Sequence, residues 1–235
     1  MYILDLLFPK SCQICKKEGQ YLCNQCIKLF KKNLPECYKC RKLSNLYITH
    51  RLCKDDTNLN SVFVGWEYND LTSLILKKYK YSGVKDMAQT LSEIFVQRIA
   101  ETKYPKYLEG TLLTVVPISR RRQKERGFNQ LSTIGKAVSE KFGYAFSDSI
   151  LIRKKDREHQ SVKNRLERSY INYSDFYIKK DLDIKNYKSI TVLDDVITTG
   201  STLESICICF RKRFGKEIQV NALCIFRGKP YYLSC

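Results

Sequence analysis

The thirteen residues ITVLDDVITTGST, at positions 190–202, constrain the fold of this 235-residue chain more than any other stretch. Ile190, Val192 and Leu193 form a short, β-branched, apolar run that reads as a parallel strand buried on both faces. Asp194 and Asp195 follow where that strand would leave the sheet. Thr198, Thr199, Gly200, Ser201 and Thr202 then supply small side chains, hydroxyls and backbone N–H groups at the start of an amphipathic helix. Its apolar face is Leu203, Ile206, Phe210 and Phe214. The first N–H groups of a helix have no partner inside it, so such a start favours phosphate. In an open α/β sheet ligands lie beyond the carboxyl ends of the strands, so the acidic pair and the loop are expected to face one crevice. A phosphorylated sugar is a ligand that would use both.

Four mostly apolar residues, two acidic ones and a Thr/Gly/Ser turn resemble the 5-phosphoribosyl 1-pyrophosphate (PRPP) motif of the phosphoribosyltransferases. DD and TTG fragments each occur in ordinary strand–turn–helix units with a capping hydroxyl. Here strand, acids, loop and helix stand together in one order. The resemblance implies that Asp194 and Asp195 hold the ribose 2- and 3-hydroxyls, directly or through magnesium. It implies that Thr198, Thr199, Gly200, Ser201 and Thr202 take the 5-phosphate. The fold expected is a doubly wound, mainly parallel α/β sheet flanked by helices.

The chain is long enough for one such domain plus a small appendage. Its 42 Lys and Arg against 24 Asp and Glu leave a formal charge of +18, which favours anionic partners such as PRPP, pyrophosphate or nucleic acid without choosing among them. No apolar run approaches the ~18 to 20 residues that span a bilayer. The opening YILDLLFP is short and carries Asp5, so neither a signal peptide nor a membrane helix is expected.

Eleven cysteines in such a chain point to metal rather than disulfides. Cys12 and Cys15 are followed by Cys23 and Cys26, two CxxC knuckles. Two intervening residues let both thiolates of a knuckle face one tetrahedral ion, and four thiolates close its shell, the mark of structural zinc. Cys37 and Cys40 make a third knuckle, and His50 with Cys53 a fourth. Sequential pairing gives one site of four cysteines and another of three cysteines and a histidine, while interleaved pairing joins first to third and second to fourth; the short loops favour the sequential scheme. Zinc would stabilise a module of about fifty residues that cannot easily bury its own core. The module is expected to be structural, with docking of nucleic acid or protein as the alternative. Cys207, Cys209 and Cys224 lack knuckle spacing and read as core thiols; Cys235 also lacks it.

Residues 55–60 form a polar break, dividing a cysteine-rich module, 1–56, from an α/β domain, 57–235. Residues 61–68 alternate as a strand. Leu71, Leu74, Ile75, Lys78 and Tyr79 suggest a helix ending at Gly83, and Met87, Leu91, Ile94, Phe95 and Ile99 suggest a second. Residues 112–116 read as another buried strand, delivering a basic loop at 117–127 with Ser119, Arg120, Arg121, Arg122, Arg126 and Gly127. A helix with Leu131, Ile134, Val138 and Phe142 on one face follows. Guanidinium forks match pyrophosphate oxygens, so this loop is the candidate pyrophosphate site. A solvated charge run is the competing reading.

VPIS followed by RGFNQ, together with Lys80, Tyr81, Ser82 and Gly83 and the N-terminal knuckles, resembles the ComF family of competence proteins, over nearly the whole chain. That family fuses a zinc module to a phosphoribosyltransferase domain. The resemblance implies a role in DNA uptake during natural transformation, on the cytoplasmic side, beside a ComF-type helicase and single-strand-binding proteins. It also implies a mobile flap at 153–170, where Gln160, Arg165, Arg168 and Phe176 fit the family spacing while Lys163, Ile171 and Asn172 depart from it. The same segment reads equally as a surface for DNA phosphates or as an exposed stretch.

Two functions follow as expectations. One is a PRPP- and magnesium-dependent transferase in which Asp194, Asp195, Arg120 and Arg121 act on the sugar and on the departing pyrophosphate, with nucleobase salvage as one form. The other is a nucleic-acid-binding adaptor or PRPP sensor that binds single-stranded DNA. Trp66, Tyr68 and Tyr81 could stack on an acceptor ring, although packing explains each of them, and His159 reads as a surface residue.

Overall fold

The computed structural model describes residues 10–81, 85–153, 170–173 and 175–228. In chain order the elements are α1 (Asn24–Ile27), two 3-10 turns (Asn45–Tyr47 and Arg51–Asp56), β1 (Ser61–Glu67), α2 (Asp70–Tyr81), α3 (Lys85–Ala100), α4 (Tyr104–Tyr107) and β2 (Thr111–Val115). Then come α5 (Arg120–Arg126), α6 (Gln130–Phe142), β3 (Ala145–Phe146), β4 (Leu151–Arg153), β5 (Tyr170–Tyr173), β6 (Phe176–Lys179), β7 (Ser189–Ile197), α7 (Ser201–Phe214) and β8 (Gln219–Arg227).

Five strands form a sheet in the order β1-β8-β7-β2-β3, and every pairing in it is parallel. A parallel sheet is covered on both faces, so its strands bury consecutive residues instead of alternating ones. β1 does so from Ser61 through Trp66, which corrects the alternation expected there, and β2 is buried throughout. The register sets Thr111 opposite Ser189 and Val115 opposite Leu193. From β2 the chain moves through α6 to β3 at one edge; from β7 it moves through α7 to β8, toward the other. Right-handed crossovers in opposite directions put α6 and α7 on opposite faces. The point of reversal lies between β2 and β7.

The helices bury the faces their periodicity marks. Met87, Leu91, Ile94, Phe95 and Ile99 of α3, Leu131, Ile134 and Val138 of α6, and Leu203, Ile206 and Phe210 of α7 are buried, with Phe142 and Phe214 partly so. Leu74 departs from expectation and is half exposed, at 50%. Gly83 lies outside the described residues. Unforeseen in sequence, β4, β6 and β5 form a small antiparallel sheet in that order, and its β6 packs against α7. Its strands of three or four residues are too short to show a period.

The cysteine-rich segment shares the core of the sheet. Leu22, Phe30, Tyr38 and Tyr47 are buried in the same apolar cluster as β1, α3 and β8. Phe30 meets Trp66 edge-on at 5.8 Å, and Tyr47 meets Phe63 at 4.9 Å. The segment also covers the open edge of β1, where the Asn33 N–H donates to Gly65 O (3.1 Å) and the Glu67 N–H to Lys31 O (2.9 Å). Arg98 of α3 is buried and donates to both Gly65 O and Asn33 O. Along the polar break, Thr57 and Leu59 are buried, and the Asn60 N–H donates to Val220 O.

Candidate functional site

Beyond the carboxyl end of β2 and beside the last residues of β7, at the point of reversal, lies a cavity of about 190 Å³. Val116, Pro117 and Ile118 reach it from β2, and Asp194, Asp195 and Val196 from β7. Thr202 lines it from α7, Lys80 and Tyr79 from α2, and Arg122, Asn129, Gln130, Leu131 and Arg153 are also in its wall. A groove of about 900 Å³ adjoins it, sharing Pro117, Ile118 and Asn129.

The acidic pair does not stand past the end of its strand. β7 loses its β2 partner after Leu193 but continues beside β8, with Asp194 opposite Cys224 and Ile197 opposite Arg227. β8 is longer than β2, so one side of β7 is open at the acids while the other is still bonded. Lys80 Nζ sits 2.5 Å from Asp195 Oδ2, and the Asp195 N–H donates to Asp194 Oδ1 at 2.8 Å. Burial, then repulsion from Asp195, push the Asp194 carboxyl up to about 7; the Asp195 N–H, Lys80 and Arg153 oppose the rise without cancelling it. Two adjacent carboxyl groups set among Lys80, Arg122 and Arg153 offer acceptor oxygens beside cations, which suits the hydroxyls of a ligand that is itself anionic.

The loop after β7 is a short turn closed by a glycine. Gly200 caps α7 with φ +83°, a left-handed conformation natural to glycine. The Ser201 N–H donates weakly to Thr199 Oγ1 at 3.4 Å. Thr198 lies against Gly228, just past the end of β8, where a β-carbon would meet its methyl at 2.7 Å. Of these residues Thr202 reaches the cavity wall, and Thr198, Thr199, Gly200 and Ser201 form the turn leading to it.

The basic stretch at 117–127 is not a loop throughout. Residues 120–126 form α5, capped by Ser119 Oγ, which accepts from the Arg122 N–H at 3.3 Å, and closed by Gly127 at φ +77°. A hydroxyl before the run and a glycine after it outweigh the repulsion of successive arginines. Arg122 lines the cavity; the side chains of Arg120, Arg121 and Arg126 lie outside the described residues. Asn129 gives RGFNQ its structural sense, since it caps α6 by accepting from the Leu131 N–H and donates to Val116 O at the end of β2.

Lys80 and Arg153 enter the site from outside residues 190–202; Lys80 belongs to the stretch that carries the ComF resemblance and Arg153 opens the flap segment, but spacing assigned neither to the acidic pair. Trp66 is buried among Phe30, Phe95 and Phe226, and Tyr68 packs on Phe226, so both serve packing. The side chain of Tyr81, together with Ser82, Gly83, His159, Gln160, Lys163, Arg165, Arg168 and Cys235, lies outside the described residues, as does most of the flap segment. Ile171 and Asn172 fall in β5 and Phe176 in β6.

The knuckles pair sequentially. Cys12, Cys15, Cys23 and Cys26 form one cluster and Cys37, Cys40, His50 and Cys53 the other, the ligand atoms of each lying within 4.8 Å of one another. The Sγ atoms of Cys15 and Cys23 are 3.7 Å apart, and Cys40 Sγ is 3.2 Å from His50 Nδ1. Zinc bound at ~2.3 Å to sulfur and ~2.0 Å to nitrogen would set these edges at about 3.8 and about 3.5 Å. The first and third knuckles repeat one turn. The Lys16 N–H donates to Cys12 O and the Arg41 N–H to Cys37 O, each at 2.9 Å, with Lys16 at φ 63° and Arg41 at φ 64°. Burial alone would raise the Cys12 thiol, but N–H groups of Cys23, Cys15 and Ile14 outweigh it and bring it down to about 6. Burial and the neighbouring thiols push Cys26 up to about 12, so four thiolates need a cation to coexist. His50 Nε2 lies 3.0 Å from Leu43 O, an outer partner that aims Nδ1 at the thiols. Both donor sets fit zinc. Cys207, Cys209 and Cys224 are fully buried core thiols, as expected.

Fold and site define a doubly wound, mainly parallel α/β protein carrying two clusters that could hold zinc. The chain is a homologue of proteins named ComFC, competence protein F and YhgH. It is 26% identical to competence protein ComFC of Streptococcus pneumoniae, covering 91% of each chain, and 26% identical to competence protein F of Haemophilus influenzae, covering 86% of this chain and 89% of that one. It is 23% identical to the DNA utilization protein YhgH of Escherichia coli O157:H7, covering 93% and 98%. No family model matches the chain. No helix among the described residues is long and apolar enough to cross a membrane.

Proposed function

We propose that the protein binds PRPP at the cavity between β2 and β7 and works in DNA uptake as a phosphoribosyltransferase-like component on the cytoplasmic side of the membrane. The observation that carries this reading is that Asp194, Asp195 and Thr202 line one small cavity at the reversal of the sheet, together with residues 116–118 and Arg122. In this reading Asp194 and Asp195 accept from the ribose 2- and 3-hydroxyls. The turn at 198–202 takes the 5-phosphate on its N–H groups and hydroxyls, and the segment from Ser119 to Gly127, with Arg120, Arg121 and Arg126, faces the pyrophosphate. Magnesium arrives on PRPP as part of the substrate and supplies charge neutralisation at the leaving group. Where transfer occurs, the bond from C1 to pyrophosphate breaks as a bond from C1 to the acceptor forms. The chain's own contribution is positioning and electrostatics. An acceptor would approach from the adjoining groove.

Calorimetry with Mg·PRPP tests the binding. Heat is expected from the wild type and none from Asp194→Ala combined with Asp195→Ala; a silent wild type, or an unaffected double variant, rejects the reading. The net charge of +18 and the printed names of the relatives favour a second role for the same chain, as a single-stranded-DNA adaptor or PRPP sensor acting with uptake proteins such as a helicase. Affinity for single strands that falls steeply with salt and survives loss of the acidic pair would support it. Pyrophosphate release that depends on a single nucleobase would instead identify a salvage transferase.

A further inference from the structure

Tyr38 lies between Cys37 and Cys40, two members of the second cluster, in the turn closed by the bond from the Arg41 N–H to Cys37 O. From that turn its ring reaches the phosphate loop, and a β-carbon at Gly200 would stand 3.1 Å from Tyr38 Cε2. Its buried hydroxyl donates to Glu204 Oε1 in the first turn of α7. The Thr57 hydroxyl donates to the same oxygen, and Glu204 Oε2 accepts from the Asn58 N–H at 3.0 Å. At the other end of the loop, Tyr38 O accepts from Arg227 Nη2 at 2.7 Å, and Arg227 is the β8 partner of Ile197, the residue from which the loop departs. One knuckle residue thus touches the residue that caps α7, the first turn of α7 and, through Arg227, the end of β7.

We propose that Tyr38 is a positioning residue of the phosphate loop, and that the Cys37, Cys40, His50 and Cys53 site, by fixing Tyr38, sets the affinity of residues 198–202 for a phosphorylated sugar. The inference rests on the sugar-phosphate reading of that loop and adds metal-linked control to it. A loop already fixed loses less entropy when it closes on a phosphate, so holding Gly200 and Glu204 in place favours binding. Linkage then requires the reverse effect, in which the ligand tightens the hold of the second cluster on its metal. The first cluster has no such route, since none of its four cysteines lies in the turn that carries Tyr38.

Tyr38→Phe keeps the ring and removes the hydroxyl; His50→Ala loosens the second metal. With the full chain, both are expected to weaken ribose 5-phosphate roughly tenfold, the scale of one charge-assisted hydrogen bond. Affinity for inorganic pyrophosphate, which uses the segment around α5, stays unchanged, a split that general destabilisation would not produce. Glu204→Gln is expected to be non-additive with Tyr38→Phe. Amide hydrogen exchange supplies a ligand-free measurement, in which residues 198–205 exchange faster in both variants while β8 stays protected. Unchanged exchange overturns the inference, and so does faster exchange with unchanged ribose 5-phosphate affinity. A wild type that binds neither compound overturns the reading of the loop itself, and exchange alone then decides the role of Tyr38.

Discussion

Asp194→Asn should flatten a pH dependence of stability that the site builds into the fold. The carboxyl lies beside Asp195 on a partly buried strand end, and its value rises from the ordinary 3.8 to about 7. For an acid whose folded value is raised, the folded protein keeps, between these two values, a proton that the unfolded chain has lost. Its contribution is therefore most favourable below the unfolded value, falls as pH rises through the window, and levels off above about 7. A shift of about three units at ~1.36 kcal/mol each gives about 4 kcal/mol in full, of which roughly 2 to 3 fall between pH 5 and 8. Part of the side chain still meets solvent, and screening there reduces the expected change to about 1 kcal/mol. The assay is urea unfolding of both proteins at steps from pH 5 to 8, without PRPP or magnesium, taking the difference between variants so that other titrating groups cancel. The asparagine retains an oxygen for the Asp195 N–H and carries no charge, so its stability relative to wild type should rise with pH by that amount. Parallel pH profiles, or a variant that loses ground as pH rises, would refute the reasoning.

Gly200→Ala combines a left-handed φ with the Tyr38 ring at 3.1 Å, and is expected to cost about 1–3 kcal/mol in chemical denaturation. Metal analysis should find two zinc ions per chain, one of which is lost in Cys12→Ser. Because Phe30 meets Trp66, the only tryptophan, removing both metals with a chelator should red-shift its fluorescence and lower the melting temperature of the sheet, and not of the cysteine segment alone. Burial pushes Cys207 up to about 12 and Cys209 up to about 11, so in the zinc-bound native protein neither should react with a thiol reagent until the chain unfolds.

The features legible in sequence were those whose cause is local. A run such as Ile190, Val192 and Leu193 can only be buried on both sides, and helix faces such as Leu203, Ile206 and Phe210 follow from the 3.6-residue period. Cysteine pairing followed from loop length. The extent of β7 was not legible, because Asp194 and Asp195 remain in the strand only through the length of β8, a property of the neighbour. α5 was hidden by its own charge, although Ser119 before RRRQKER and Gly127 after it are ordinary brackets of a helix. Lys80 meets Asp195 across 115 positions and Tyr38 meets Glu204 across 166, distances over which no spacing rule operates. STLE at 201–204 resembles a capping box beginning at Ser201. The cap is Gly200, which frees the Glu204 carboxylate to face Tyr38 and Thr57, and a search from the carboxylate outward would have raised that question.

The cysteine segment and the sheet depend on each other in a way that composition does not suggest. β1 is an edge strand, and an unpaired edge of apolar residues invites association with other chains. Residues 31–33 cover it with backbone hydrogen bonds, while Phe30 and Tyr47 close the core behind it. The knuckles hold the flanking residues in place without a core of their own, and the side chains they present complete that of the sheet. Tyr38 and Glu36 then reach past the core to Arg227 at the end of β8, a buried cation whose Nη2 is satisfied by Tyr38 O and whose Nε lies 3.8 Å from the Glu36 carboxylate. Removing the segment would therefore expose the edge, open the core and strand a buried arginine beside the turn at 198–202. The chain between the second cluster and the sheet, through Glu36 and Tyr38, is therefore part of the same packed unit as the turn at 198–202.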